Sequence, residues 1–163
     1  MTDENVLTQV EHAQNAWANG LIAIGEAYLK GQDYQTSART VIHSLYNYDH
    51  EDGIVLFKPT KASINPFRDT FEGALSYFVG NNPAYEEDQG FALAPWTHIV
   101  FNNHQIYTHH EMIIAMGQYT FTDTKDQKTL VDYTFGYKQS SSEELRIVLH
   151  HSSLPFSTNL TTS

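Results

Sequence analysis

The segment Leu145-Arg146-Ile147-Val148-Leu149-His150-His151-Ser152-Ser153-Leu154-Pro155-Phe156 sets imidazoles and hydroxyls at the end of an apolar run. Read as a β-strand, its alternate residues share a face. Leu145, Ile147 and Leu149 then form one row, and His151 and Ser153 continue it. A core-facing row that ends in an imidazole and a hydroxyl predicts a pocket floor, because buried polar groups need partners that a small polar ligand or water supplies. His150 and Ser152 fall on the opposite face. Two more hydroxyls fit the same site: Thr60, after a short strand in Lys58-Pro59-Thr60-Lys61-Ala62, and Tyr77, at the end of a short helix in Leu75-Ser76-Tyr77-Phe78. Hydroxyls donate and accept, so Thr60, Tyr77, His151 and Ser153 together could hold water, bicarbonate or a carboxylate.

Two other chemistries compete. Nine His include His104, His109-His110 and His150-His151. Adjacent His on a strand point to opposite faces, so neither pair chelates by itself, and no spacing matches a zinc motif. Asp132, in an apolar strand segment, and Glu111, before Met112-Ile113-Ile114, are candidate general bases if buried. No Gly-rich phosphate loop and no Gly-x-Ser-x-Gly elbow occurs.

The elements that must position these residues read as helices first and strands later. Apolar residues at Val6, Val10, Ala13, Trp17, Leu21, Ile24 and Tyr28 predict an amphipathic helix to about Lys30. Asp33 caps a second helix reaching about Tyr48. Ile54–Phe57 reads as a short strand stopped by Pro59, and Asn65-Pro66 as the start of a third helix ended by Gly80-Asn81-Asn82-Pro83. Segments near 91–103, 105–122, 128–139 and 145–154 alternate as strands. Short polar turns at 123–127 and 139–144 make them an antiparallel meander, with a bend around Gly117. The expected architecture is one α+β domain over residues 1–163. It is helical over 5–49 and sheet-rich over 54–156, with a frayed tail at 157–163. A curved antiparallel sheet wraps the N-terminal helices as a cone with a cavity between them. Apolar rows Val131, Tyr133, Phe135, Tyr137 and Ile113, Ala115, Tyr119, Phe121 suggest two usable sheet faces and a homodimer through the convex side.

Composition narrows the classes. The chain has 163 residues, a formal net charge of -10, no Cys and 13% aromatics. The acidic balance argues against nucleic-acid and anionic-membrane partners and suits a neutral substrate. Without Cys there is neither disulfide nor thiolate metal site. No run approaches transmembrane length, and the acidic Met1-Thr2-Asp3-Glu4-Asn5 lacks a signal-peptide pattern, so the expected compartment is the cytoplasm.

Five stretches then carry a resemblance over about Val41–Phe156. They are Val55-Leu56-Phe57-Lys58-Pro59-Thr60, Phe91-Ala92-Leu93-Ala94-Pro95-Trp96, Met116-Gly117-Gln118-Tyr119-Thr120-Phe121, Phe135-Gly136-Tyr137 and Arg146–Pro155, whose His-His-Ser-Ser-Leu-Pro ending is the most specific. The chain resembles the association-domain branch of the nuclear-transport-factor-2-like (NTF2-like) superfamily. More narrowly it resembles the iota-class carbonic anhydrases, and it is similar to their cyanobacterial members. The resemblance implies a homodimeric cone fold that hydrates CO2 reversibly to bicarbonate. Some members of the class use a metal such as Zn²⁺ or Mn²⁺ and others none; the metal-free form is expected here. Thr60, Tyr77 and Ser153 would then hydrogen-bond bicarbonate or the attacking water, with His151 close by. A non-catalytic association module, or a cavity isomerase or cyclase acting on a small organic acid, are the alternatives.

Overall fold

The computed structural model describes residues 4–140 and 144–157. Helix α1, Glu4–Leu29, buries Val10, Gln14, Trp17, Ala18, Leu21 and Ile24 along the stripe that its three- and four-residue spacing predicts. Helix α2, Tyr34–Leu45, starts at Asp33, whose carboxylate accepts the Thr36 N–H at 3.1 Å. Strand β1, Leu56–Lys58, follows, then helix α3, Phe71–Val79. Strands β2 (Trp96–His109), β3 (Met112–Asp123), β4 (Lys128–Gln139) and β5 (Leu145–Ser153) complete the domain. The sheet order is β1-β5-β4-β3-β2. The helices pack on one face of this sheet, giving the expected α+β cone.

Four details differ from the sequence reading. The sheet is mixed: β1 runs parallel to β5, with Phe57 opposite His150. A parallel pair needs a long connection, and α3 with the β2–β4 meander supplies it. The third helix begins at Thr70, whose hydroxyl accepts the Gly73 N–H at 3.0 Å, and not at Asn65-Pro66. The residues between are drawn out of helical geometry by Arg68, which is fully buried. Its backbone N–H donates to Phe57 O at 2.8 Å, and its guanidinium donates to both Asp88 oxygens at 2.7 Å and to Gly73 O at 2.9 Å. A bidentate pair of this kind is strong because every buried charge has a partner.

The first long hairpin turns at His110-Glu111, where His110 takes φ 54°, and not near residue 104. The irregularity falls at the level of Gly117, but on the neighbouring strand: β2 bulges between Asn103 and Gln105. A side chain at Gly117 would bring its Cβ to 2.1 Å from Asn102 O, so this close approach requires glycine. The turn at 123–127 forms as read, with Asp123 accepting from the Lys125 and Gln127 N–H groups. Of the turn at 139–144, residues 141–143 lie outside the described residues, as does the tail from 158.

The fourth difference concerns the two apolar rows. Tyr119 pairs with Val131, Ala115 with Phe135 and Ile113 with Tyr137. Directly paired residues share a face, so both rows point inward and are buried together against the helices. The outer face carries Met116, Gln118, Asp132, Thr134, His151 and Ser153 instead, around a depression of about 740 Å³. Gln14 of α1 ties helix to sheet, exchanging two hydrogen bonds with Asn103 at 2.7 and 3.0 Å, while Tyr133 donates to Asn103 at 2.6 Å.

Candidate active site

Strand β5 pairs with β4 at Tyr137–Ile147 and next at Gly136–Leu149, so one extra residue is accommodated on β5. That is a β-bulge, and it inverts the alternation beyond it. Ile147 points inward, and after the bulge so do His150 and Ser152, which are 2% and 1% exposed. His151 is exposed and Ser153 half-buried on the outer face. The expected floor residues, His151 and Ser153, are therefore replaced by their neighbours His150 and Ser152. Gly136 permits the crossing: a Cβ there would stand 2.8 Å from Leu149 Cβ. A glycine inside a strand was the one sequence signal for the bulge.

His150 sits between two rings, stacked on Phe135 (4.0 Å between centroids) and on Phe57 (4.8 Å), with the edge of Trp17 at 5.6 Å. Both ring nitrogens are engaged. Nδ1 faces the Tyr46 hydroxyl at 2.8 Å, and that hydroxyl also accepts the Trp17 Nε1–H at 3.0 Å. Nε2 faces the Tyr119 hydroxyl at 3.1 Å. From Tyr119 the row continues to Ser152 Oγ at 2.6 Å and on to Thr60 Oγ1 at 2.6 Å. Tyr77 completes the group, its hydroxyl accepting the Lys61 N–H at 3.1 Å and lying in hydrogen-bond contact with Thr60. Thr60 and Tyr77 thus lie together at one cavity, but with Ser152 where Ser153 is expected. Trp17 and Tyr119 read in the sequence only as members of an apolar helix stripe and an apolar strand row, and Tyr46 carries no sequence signal for the site.

Each element places one member. Pro59 ends β1 and turns Thr60 toward β5. Tyr77 lies on the last turn of α3, Tyr119 in mid-β3, Tyr46 just past α2, and Trp17 in mid-α1. Trp17, Thr60, Tyr77, Tyr119, His150 and Ser152, with Pro59, Phe57, Phe78 and Phe91, enclose a cavity of about 10 Å³, the lower limit of the space one water needs. Tyr77 and Phe91, stacked at 5.4 Å, also line an outer pocket of about 370 Å³ with Lys61 at its wall.

The site is neutral near neutral pH. Burial pushes the Tyr46, Tyr77 and Tyr119 hydroxyls well above the usual phenol range. Burial, reinforced by His151, holds the His150 imidazole well below its ordinary value. The arrangement offers uncharged donors to an oxygen that gains charge, beside an apolar wall. Among the described residues, no group of three or more His, Asp or Glu is placed to hold a metal ion. The candidate bases stand elsewhere: Asp132 accepts from Gln118 at 2.9 Å on the outer face, and Glu111 is exposed in the β2–β3 turn.

A curled sheet closed by helices over a polar-ended cavity defines an NTF2-like cone fold. A putative dehydratase of the NTF2-like family from Streptomyces avermitilis shares that fold at 13% identity, with a TM-score of 0.59 over 96% of this chain and 100% of that one. Within this class, the chain belongs to the metal-independent carbonic anhydrase family, whose model matches residues 8–154. It is 41% identical over 152 residues to a metal-independent carbonic anhydrase from Nostoc sp. (strain PCC 7120), covering 91% of this chain and 73% of that protein. It is also similar to the crystal structure of a cyanobacterial iota-carbonic anhydrase complexed with bicarbonate, with a TM-score of 0.89 and 38% identity over 96% of this chain and 94% of that one. The chain is accordingly a carbonic anhydrase, catalysing reversible hydration of CO2 to bicarbonate.

Proposed function

We propose that this chain hydrates CO2 without a metal, at the cavity bounded by Thr60, Tyr77, Tyr119 and Ser152, with His150 behind them. The observation that carries the reading is the unbroken hydroxyl row Thr60–Ser152–Tyr119 beside a cavity sized for one water. The bicarbonate held by the cyanobacterial relative supports it. In the reaction the water oxygen bonds to the carbon of CO2. The electron pair of one C=O bond moves onto its oxygen, and one proton leaves to solvent. Zinc enzymes supply hydroxide by lowering the pKa of bound water to about 7. Neutral hydroxyls act differently: they orient the water and donate to the oxygen that gains charge. A preorganised donor of this kind is worth roughly 10²–10³-fold in kcat.

The same reading includes a homodimer through the outer sheet face. No described element covers that face, and Val100, Met116 and Leu130 stand exposed on it. A chain without Cys also suits the cytoplasm.

The test is CO2 hydration by purified protein after exhaustive chelation. Activity should survive chelation. Ser152→Ala should lower kcat about 10²-fold, while Ser153→Ala, on the outer face, should match the parent. Activity that returns only with added Zn²⁺ or Mn²⁺ would remove the metal-free reading. Equal rates in the two variants would remove the site assignment.

A further inference from the structure

His150 is the one buried imidazole of the described residues, and both of its nitrogens meet hydroxyls that could donate or accept. The partner that breaks this ambiguity is Trp17. An indole N–H only donates, so the Trp17 Nε1–H occupies one lone pair of the Tyr46 oxygen. Tyr46 is fully buried, ringed by Tyr48, Phe57 and Phe78. The hydrogen-bond acceptor seen by its own O–H is His150 Nδ1. If Nδ1 carried the proton, Tyr46 would accept twice and its O–H would be left unpaired among rings, which is costly in a buried site. With the proton on Nε2, every donor in the row has an acceptor. Trp17 donates to Tyr46, Tyr46 to Nδ1, Nε2–H to Tyr119, Tyr119 to Ser152 and Ser152 to Thr60. Tyr77, whose oxygen accepts from Lys61, donates to the other lone pair of Thr60, and the Thr60 O–H is then the one that points onward into the cavity.

We propose that Trp17 and Tyr46 are positioning residues that hold His150 as its Nε2–H tautomer, and so align the Tyr119, Ser152 and Thr60 hydroxyls as a one-way row of donors ending at the substrate. The inference rests on the cavity being the site of CO2 hydration. In this role His150 is a donor in the resting enzyme, not the base that takes the proton of water. Its stacking on Phe57 and Phe135 fixes the ring plane, and Trp17 and Tyr46 fix which nitrogen carries the hydrogen. This is second-layer control of an imidazole of the kind that sets tautomers elsewhere.

The experiment is nitrogen-15 NMR of the ¹⁵N-histidine-labelled, active protein near neutral pH, read through long-range couplings to the ring protons. The expected result for His150 is an unprotonated Nδ1 and a protonated Nε2. A protonated Nδ1, or two averaged nitrogens, overturns the proposal in the parent protein alone. Tyr46→Phe deletes only the hydroxyl. It should average the two His150 nitrogen signals and lower kcat about tenfold, with KM changed less than twofold. Unchanged nitrogen signals or an unchanged kcat in a folded Tyr46→Phe overturns the positioning role. If that variant does not fold, Trp17→Phe, which removes the indole N–H and keeps a ring, is read by the same two criteria. Absent CO2 hydration in the parent would instead sink the cavity reading, and the tautomer result would still stand on its own.

Discussion

His150 and His151 are adjacent and chemically identical, yet one is sealed between two rings and the other faces solvent. Residue type reveals that an imidazole is present; surroundings decide its charge and its use. Glu87 makes the same point with a carboxylate. It lies in the loop after α3, and its oxygens accept the Asn65 N–H at 2.7 Å, the Ser63 N–H at 2.8 Å and the Ile64 N–H at 3.1 and 3.2 Å. These donors, led by Asn65, bring its carboxyl down from 4.5 to about 2. A depressed carboxylate contributes stability that is fully present above the unfolded value and is lost as pH falls through the folded one. Glu87→Gln should therefore melt below the parent at pH 7. The gap should narrow as pH drops from about 4.5 toward about 2, where the parent carboxyl also protonates. Thermal melts of both proteins across that range check this; a gap that stays constant would remove Glu87 as the anchor.

At the scale of elements, helices were legible because their signals are local. The 3.6-residue stripe of α1 and the Asp33 cap of α2 both formed as read. The sequence places the start of α3 at Asn65-Pro66 because Pro66 is a fair first helical residue, while the decisive force, the pull of Asp88 on Arg68, comes from a loop twenty residues away. The parity of β5 differs from its local alternation for a related reason. Strand alternation is local, but a bulge is a property of a pair of strands. Gly136 is its hinge, so Gly136→Ala should press on Leu149 and destabilise the fold by about 1–3 kcal/mol. It should also reduce CO2 hydration more than a remote variant of equal stability, since His150 and Ser152 lie just beyond the crossing. Denaturant melts paired with activity assays decide it; full activity at reduced stability would show that the bulge does not set the site.

For the whole molecule, the inner sheet face is filled by α1 and its partners, whereas the outer face is open over β2–β5. A stable dimer buries roughly 800 Å² per partner, and this open face carries the exposed Val100, Met116 and Leu130 around the Gln118–Asp132 pair. Sedimentation velocity should return twice the 18.5 kDa chain mass for the parent. For Met116→Glu it should return a single chain, since a twofold axis sets the new charge near its own copy. A parent that sediments as one chain would remove the dimer.

The sequence by itself determined the fold class and the family, because composition, helical periodicity and the His-His-Ser-Ser-Leu-Pro ending are all written along one strand of text. It also picked out Thr60 and Tyr77. Only the tertiary structure decided which His and which Ser face the cavity, and that Tyr119, Tyr46 and Trp17 join them. A row of hydrogen bonds from α1 to the β1 loop crosses residues 17, 46, 150, 119, 152 and 60 in space. The physical reason is that hydrogen bonds and bulges depend on which strands and rings meet, and nothing in the spacing along the chain measures that.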